Sequence, residues 1–169
     1  MALYLFANGA SPTTAAQVAV TTGTSIKTLL QVKPGATVTH KIVEWGIAFD
    51  GSAAATPIKV ELLQTDVAAT VTAAAAADIN KLDGNALMGG DPTTALFSVG
   101  TTSTGYTSTS EGSITAVRLF DVQFIAPTNQ YVKQFPLGRE PVIEAAKFGR
   151  IRVTAGAAVN AYCYVVIEV

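Results

Sequence analysis

The chain of 169 residues contains one cysteine and one histidine. A single Cys163 excludes an intrachain disulfide, and one Cys with one His cannot furnish the three or four ligands of a structural zinc site. Charge is equally scarce: charged residues make up 14% of the chain, against about 25% for an average soluble domain. The 11 basic and 12 acidic residues balance without any basic run, so neither nucleic acid nor an anionic membrane is expected as a partner. Long apolar runs are missing as well. Hydrophobic residues reach 49% and the mean hydropathy is +0.38, but the excess lies in short Ala runs, far below the 18 or so apolar residues of a membrane helix. The opening MALYLFANGASPTT lacks a basic segment before its short apolar piece, and no Asn begins an Asn-x-Ser/Thr sequon. Neither a signal peptide nor glycosylation is therefore expected, and synthesis in a reducing cytoplasm fits best. Helical periodicity is the last absence. Thr72 to Leu82 contains an Ala run, yet such a run is marginal without packing, which predicts one or two turns at most.

What is present is alternation with period two. Trp45, Ile47 and Phe49 alternate with Gly46, Ala48 and Asp50, and Ile58, Val60 and Leu62 alternate with Lys59 and Glu61. This predicts two half-buried strands joined through the turn residues Asp50-Gly51 and Pro57. His40 and Ile42 stand on the opposite parity from Trp45 and Ile47, which predicts a bulge near Val43 or Glu44. In Ser113 to Ile125, the residues Phe120, Val122 and Phe124 share one parity and are expected to face inward, with Arg118 interrupting that side. Shorter strands are predicted at Gln130 to Phe135, Glu140 to Ala145 and Phe148 to Ala155, with Ile151 and Val153 inward. Val159 to Val169 is apolar on both parities, as a central strand is.

Together with Ala2 to Phe6 and Ile26 to Val32, eight to ten short strands punctuated by Gly and Pro predict one all-β domain over 1–169. The expected architecture is an antiparallel sandwich, jelly-roll-like, with little helix. Residues 1–25 read as an N-terminal arm and loop, and 67–112 as a long loop excursion. Such an excursion is where partner contacts are sought. The expected core is Trp45, Ile47, Phe49, Ile58, Val60, Leu62, Phe120, Val122, Phe124, Ile151, Val153 and Val165.

No catalytic constellation emerges. His40 lies in a strand pattern with no nucleophile elbow anywhere in the chain, and it reads as a satisfied strand histidine. Cys163, between Tyr162 and Tyr164, reads as core. DINKLDGNALMGGD fails as a calcium loop because Leu82 and Gly89 stand at ligand positions; Asp78, Asn80 and Asp83 leave only a looser oxygen cluster, with an Asx-rich turn as the plainer reading. Glycine-rich phosphate cradles are missing. Glu140 and Glu144 are the kind of carboxylate pair that any sandwich of this size shows. The expectation is a protein without catalytic, cofactor or metal residues. The low charge, small side chains and apolar Leu3, Tyr4, Leu5 and Phe6 suit association, with the arm expected to dock against a neighbour, the alternative being that it forms the first strand of the domain's own sandwich.

The segments EWGIAFDGSAAATPIKVELLQT, QFPLGREPVI and GRIRVTAGAAVNAYCYVVIEV resemble the small head decoration, or cement, proteins of tailed bacteriophages. The resemblance rests on the order of strands and turns across most of the chain. It implies a jelly-roll module that oligomerises, often as a trimer, over joints between major capsid proteins on the exterior of the virion, without chemistry of its own. Leu3, Tyr4, Leu5, Phe6, Tyr106, Tyr162 and Tyr164 are the candidate interface residues. Two other readings remain: a tail or neck structural protein, and a carbohydrate-binding sandwich on the virion surface. The last would need an exposed aromatic platform, for which Tyr106, Tyr131, Tyr162 and Tyr164 are the available residues, Trp45 being on an inward parity.

Overall fold

The computed structural model describes residues 2–52, 56–82 and 96–169. Two antiparallel sheets pack face to face, as the alternation predicts. Eight strands form the framework: β1 (Leu3–Ala7), β3 (Ile26–Val32), β4 (His40–Asp50), β5 (Ile58–Thr65), β9 (Val117–Ile125), β10 (Gln130–Gln134), β12 (Phe148–Thr154) and β13 (Asn160–Glu168). Their pairing is nested, first with last: β1 with β13, β3 with β12, β4 with β10 and β5 with β9. One sheet therefore runs β10-β4-β13-β1 and the other β3-β12-β5-β9, which is a jelly roll. Two short strands, β2 (Val20–Thr21) and β11 (Val142–Ile143), add to β13 and β4 respectively.

The excursion between β5 and β9 is more structured than the sequence predicts. It holds β6 (Thr70–Ala73), a 3-10 turn at Ala76–Asp78, β7 (Ile79–Lys81) and β8 (Gly105–Ser110). The first sheet is extended by β7 beside β1, and the second by β8 and β6 beside β3. These strands carry no clean alternation because β6 and β8 pair with two register shifts. The insertion thus closes one lateral side of the sandwich, and the outer edges of β9 and β10 form the opposite side.

The core lies between the sheets. Trp45, Val60, Ile151 and Val153 are fully buried, with Ile47, Phe49, Ile58, Leu62 and Val165 beside them, as expected. The parity change in β4 has the predicted cause: Val166 pairs with Glu44 and Ile167 with Ile42, leaving Val43 as the extra residue of a bulge. His40 and Ile42 can then point inward together with Trp45, Ile47 and Phe49.

Three expectations are corrected. Residues 3–7 are no free arm: β1 is hydrogen-bonded between β13 and β7, with Tyr4 and Phe6 in the core. Val122 and Phe124 face outward, Phe124 being 72% exposed, and Phe120 packs against the margin of the core. The reason is a register shift opposite Leu62 and Leu63 that skips Phe120 and turns Asp121 and Ile125 inward instead. Finally, the outer face of the second sheet is itself covered. Segments 66–69 and 111–116 fold across it, burying Leu63, Gln31 and Arg150 beneath them.

Candidate functional site

The β9 strand and the turn after β10 carry several exposed apolar side chains. On the outward face of β9, on the second sheet, these are Val117, Leu119, Val122 and Phe124, with Leu137, 93% exposed, in the turn after β10; Val132 is exposed on the outer face of the first sheet instead. β9 is an edge strand, and edge strands invite pairing with other chains unless blunted. Here two blunting devices are present. The irregularity at Phe120 bends the edge, and Asp121 turns a carboxylate inward, where Lys133 Nζ approaches to 3.1 Å, Tyr131 Oη donates at 3.3 Å and Gln123 Nε2 at 2.9 Å. Burial, then Asp121, pushes the Tyr131 hydroxyl above its ordinary pKa, so it stays a neutral donor. Arg118 pairs with Glu144 at 2.7 Å and lies over the Phe120 ring. This side is therefore suited to contact through its apolar face rather than through added strands.

A second surface lies on the outer face of the first sheet, where three strands bring nine residues into register. Gln130, Ala48 and Tyr162 form one row; Val132, Gly46 and Tyr164 the next; Gln134, Glu44 and Val166 the third. Tyr164 Oη donates to Glu44 Oε1 at 2.6 Å, and Gln134 Nε2 donates to Glu44 Oε2 at 2.6 Å. The Tyr162 and Tyr164 rings stand 6.3 Å apart. Burial, then the Glu44 carboxylate, pushes the Tyr164 hydroxyl up to about 12.

The residues expected at an interface are thus divided. Leu3, Leu5, Tyr162 and Tyr164 are half-buried on the outer face of the first sheet, whereas Tyr4 and Phe6 are taken up by the core. Tyr106 sits apart from them, lining a cleft of about 330 Å³ beneath residues 9–20. Of the candidate platform residues, Tyr131 is turned toward Trp45 and the core margin. Sequence reasoning missed Leu119, Val132 and Leu137, although Arg118 inside an apolar parity was a sign that β9 does not have a plain inward face.

The remaining candidates have structural partners. His40 is fully buried, its ring against Phe97, with Nε2 donating to the Leu96 carbonyl at 2.8 Å and Nδ1 without a partner, so it is only half satisfied. Burial holds its pKa down at about 4. Cys163 is in the core, where burial pushes its thiol up. Asp78 accepts from the backbone of Ser11 and, reaching back to the start of its 3-10 turn, from that of Ala75, and Asn80 donates to Ser11; Asp83 lies outside the described residues. Glu144 is engaged by Arg118 and by the Gln64 side chain, whose Nε2 donates to its carboxylate and whose Oε1 accepts from its backbone N–H. Among the described residues no cluster of three or more His, Cys, Asp or Glu could hold a metal, and no helix is long and apolar enough to cross a membrane.

Compared with protein-family models, with curated proteins and with solved structures, the chain finds no match in any of the three.

Proposed function

We infer that this protein is a non-enzymatic structural component of a phage virion, a decoration or cement protein that binds the assembled capsid lattice. The observation that carries this reading is the asymmetry of the sandwich. The inserted strands cover the edges of β1 and β3, while the opposite side leaves Val117, Leu119, Val122 and Phe124 of β9, and Leu137 after β10, in water. An exposed apolar stretch of this kind marks a protein contact. Its strand edge is blunted, which favours a closed docking contact over open-ended sheet growth. The sequence resemblance to head decoration proteins supplies the partner, the major capsid protein, and the expectation of a homo-oligomer, a trimer first. Binding only the assembled lattice would stabilise that state by mass action, with many copies each contributing a little.

Cryo-electron microscopy of particles assembled with the full chain tests this reading. Density for the sandwich at joints between capsid proteins on the head exterior, with the outward face of β9 against the shell, is the expected result. Density confined to the tail or neck, or none on the particle, overturns it. Leu119→Ser and Phe124→Ser are expected to abolish attachment while leaving the fold intact.

A further inference from the structure

The outer face of the first sheet presents features that a docking contact at β9 does not use. Gly46 has no side chain, and a Cβ there would lie 2.6 Å from Cε1 and 2.9 Å from Cζ of Tyr164. The Tyr164 ring therefore lies down on the strand backbone across from it, over the place where any other residue would project. Ala48 is the cross-strand neighbour of Tyr162, so that ring also stands beside a small residue. A ring that lies on a sheet as Tyr164 does turns one π face away from it, and the Tyr162 ring stands beside it, tilted by 36°.

Glu44 stands at one end of this pair. Its two carboxylate oxygens are fixed by Tyr164 Oη and Gln134 Nε2, both neutral donors, and among the described residues no lysine or arginine pairs with it. A carboxylate has about four lone-pair sites, so half its accepting capacity is left over, and its orientation is already set. Gln130 and Gln134, both exposed, add amide groups along the same margin.

We propose that the Tyr162–Tyr164 face, bounded by Glu44, Gln134 and Gln130, is a binding platform for neutral hexopyranose chains. The chemistry matches on both counts. A pyranose has an apolar C–H face that stacks on an electron-rich ring, and adjacent hydroxyls that donate as a pair to a preoriented carboxylate, a charge-assisted contact stronger than a neutral one. The two rings follow one another along β13 on the outer face of a sheet, which suits an extended chain lying across them rather than a terminal sugar held in a pocket. The uncompensated Glu44 charge selects against uronic and sialic acids, whose carboxylates it would repel. This inference is independent of capsid binding, because the platform and the β9 docking side are different surfaces; a protein fixed to a shell through β9 would keep the first sheet's outer face available.

Affinity electrophoresis of the full chain tests the platform. The gels contain hydroxyethylcellulose, glycol chitosan acetylated to neutrality, galactomannan or the acidic polymer alginate. Retardation on at least one neutral gel and none on alginate is the expected result. Tyr164→Ala should weaken the retardation roughly tenfold in apparent affinity, a loss in the range of a stacking contact. Tyr164→Phe, which keeps the ring, should lose less than Tyr164→Ala, and Glu44→Gln should weaken binding while thermal melting shows each variant folded. No retardation on any neutral gel, equal retardation on alginate, or retardation that survives Tyr162→Ala with Tyr164→Ala overturns the proposal. None of these outcomes bears on attachment to a capsid.

Discussion

Arg150 and Glu111 meet at 3.2 Å on the outer face of the second sheet, with the Arg150 side chain wholly removed from solvent. The same guanidinium donates to the carbonyls of Glu111 and Val67, while Glu111 accepts from the Thr28 backbone, the Thr28 hydroxyl and the Ser108 hydroxyl. One ion pair thus ties both segments that cross this face to the strands beneath them. Glu111→Gln is expected to destabilise the fold by about 3 kcal/mol, since removing one partner leaves a buried charge uncompensated. Arg150→Met combined with Glu111→Leu should recover much of that loss. Urea unfolding of the three chains measures both effects.

His40 predicts a pH dependence. Its folded pKa is about 4, below the ordinary 6.5, because burial disfavours the charged ring. The unfolded chain therefore takes up the proton first, so the contribution to stability is complete above about pH 6.5, falls as the pH drops toward 4 and is constant below that. A shift of this size corresponds to roughly 3 kcal/mol. Urea unfolding between pH 7.5 and 4.5 should show the decline, and His40→Gln should flatten it. Glu111 contributes in a lower window: burial raises its pKa, but Thr28, Ser108 and Arg150 together bring it below the ordinary value, so that stability is lost only as the carboxylate protonates.

Thr107 adopts φ +54° in the middle of β8, as the residue skipped between Tyr106 and Ser108 where the pairing with β6 shifts register. A β-branched residue is strained in this left-handed region. Thr107→Gly is expected to raise stability by about 1 kcal/mol, with a higher melting temperature as the readout. A lower melting temperature would mean that the Thr107 side chain contributes more than the backbone strain costs.

Removal of residues 1–7 should abolish folding. The truncated chain loses the strand between β13 and β7 together with Tyr4 and Phe6, and large core side chains cost about 3–5 kcal/mol each. That sum is comparable to the whole stability of a domain. Circular dichroism and thermal melting of a chain beginning at Asn8 test this; a folded monomer would show that β1 is dispensable.

The strands and their twist in parity were legible because both are local. Trp45, Ile47 and Phe49 alternate within one strand, His40 and Ile42 break the alternation a few residues away, and a single extra residue at Val43 is the only economical way to satisfy both. The same logic failed at β9. Phe120, Val122 and Phe124 alternate as cleanly as Trp45 to Phe49 do, but alternation says that a strand has two faces and not which of them meets the core. That choice belonged to β5, whose Leu62 pairs with Asp121 and whose Leu63 pairs with Leu119, and to β10, which brings Lys133 and Tyr131 to the inward carboxylate. The platform residues were similarly divided: Tyr162 and Tyr164 are neighbours in sequence order, but Glu44 and Gln134 reach them only through the nested pairing of β13 with β4 and β4 with β10. Composition and periodicity alone determined an all-β chain with a two-sided C-terminal strand. The tertiary structure alone decided that β1 lies inside the first sheet, that β9 lies at the edge of the second and that a carboxylate lies beside two rings, because each depends on pairing between residues far apart along the chain, which a local pattern cannot encode.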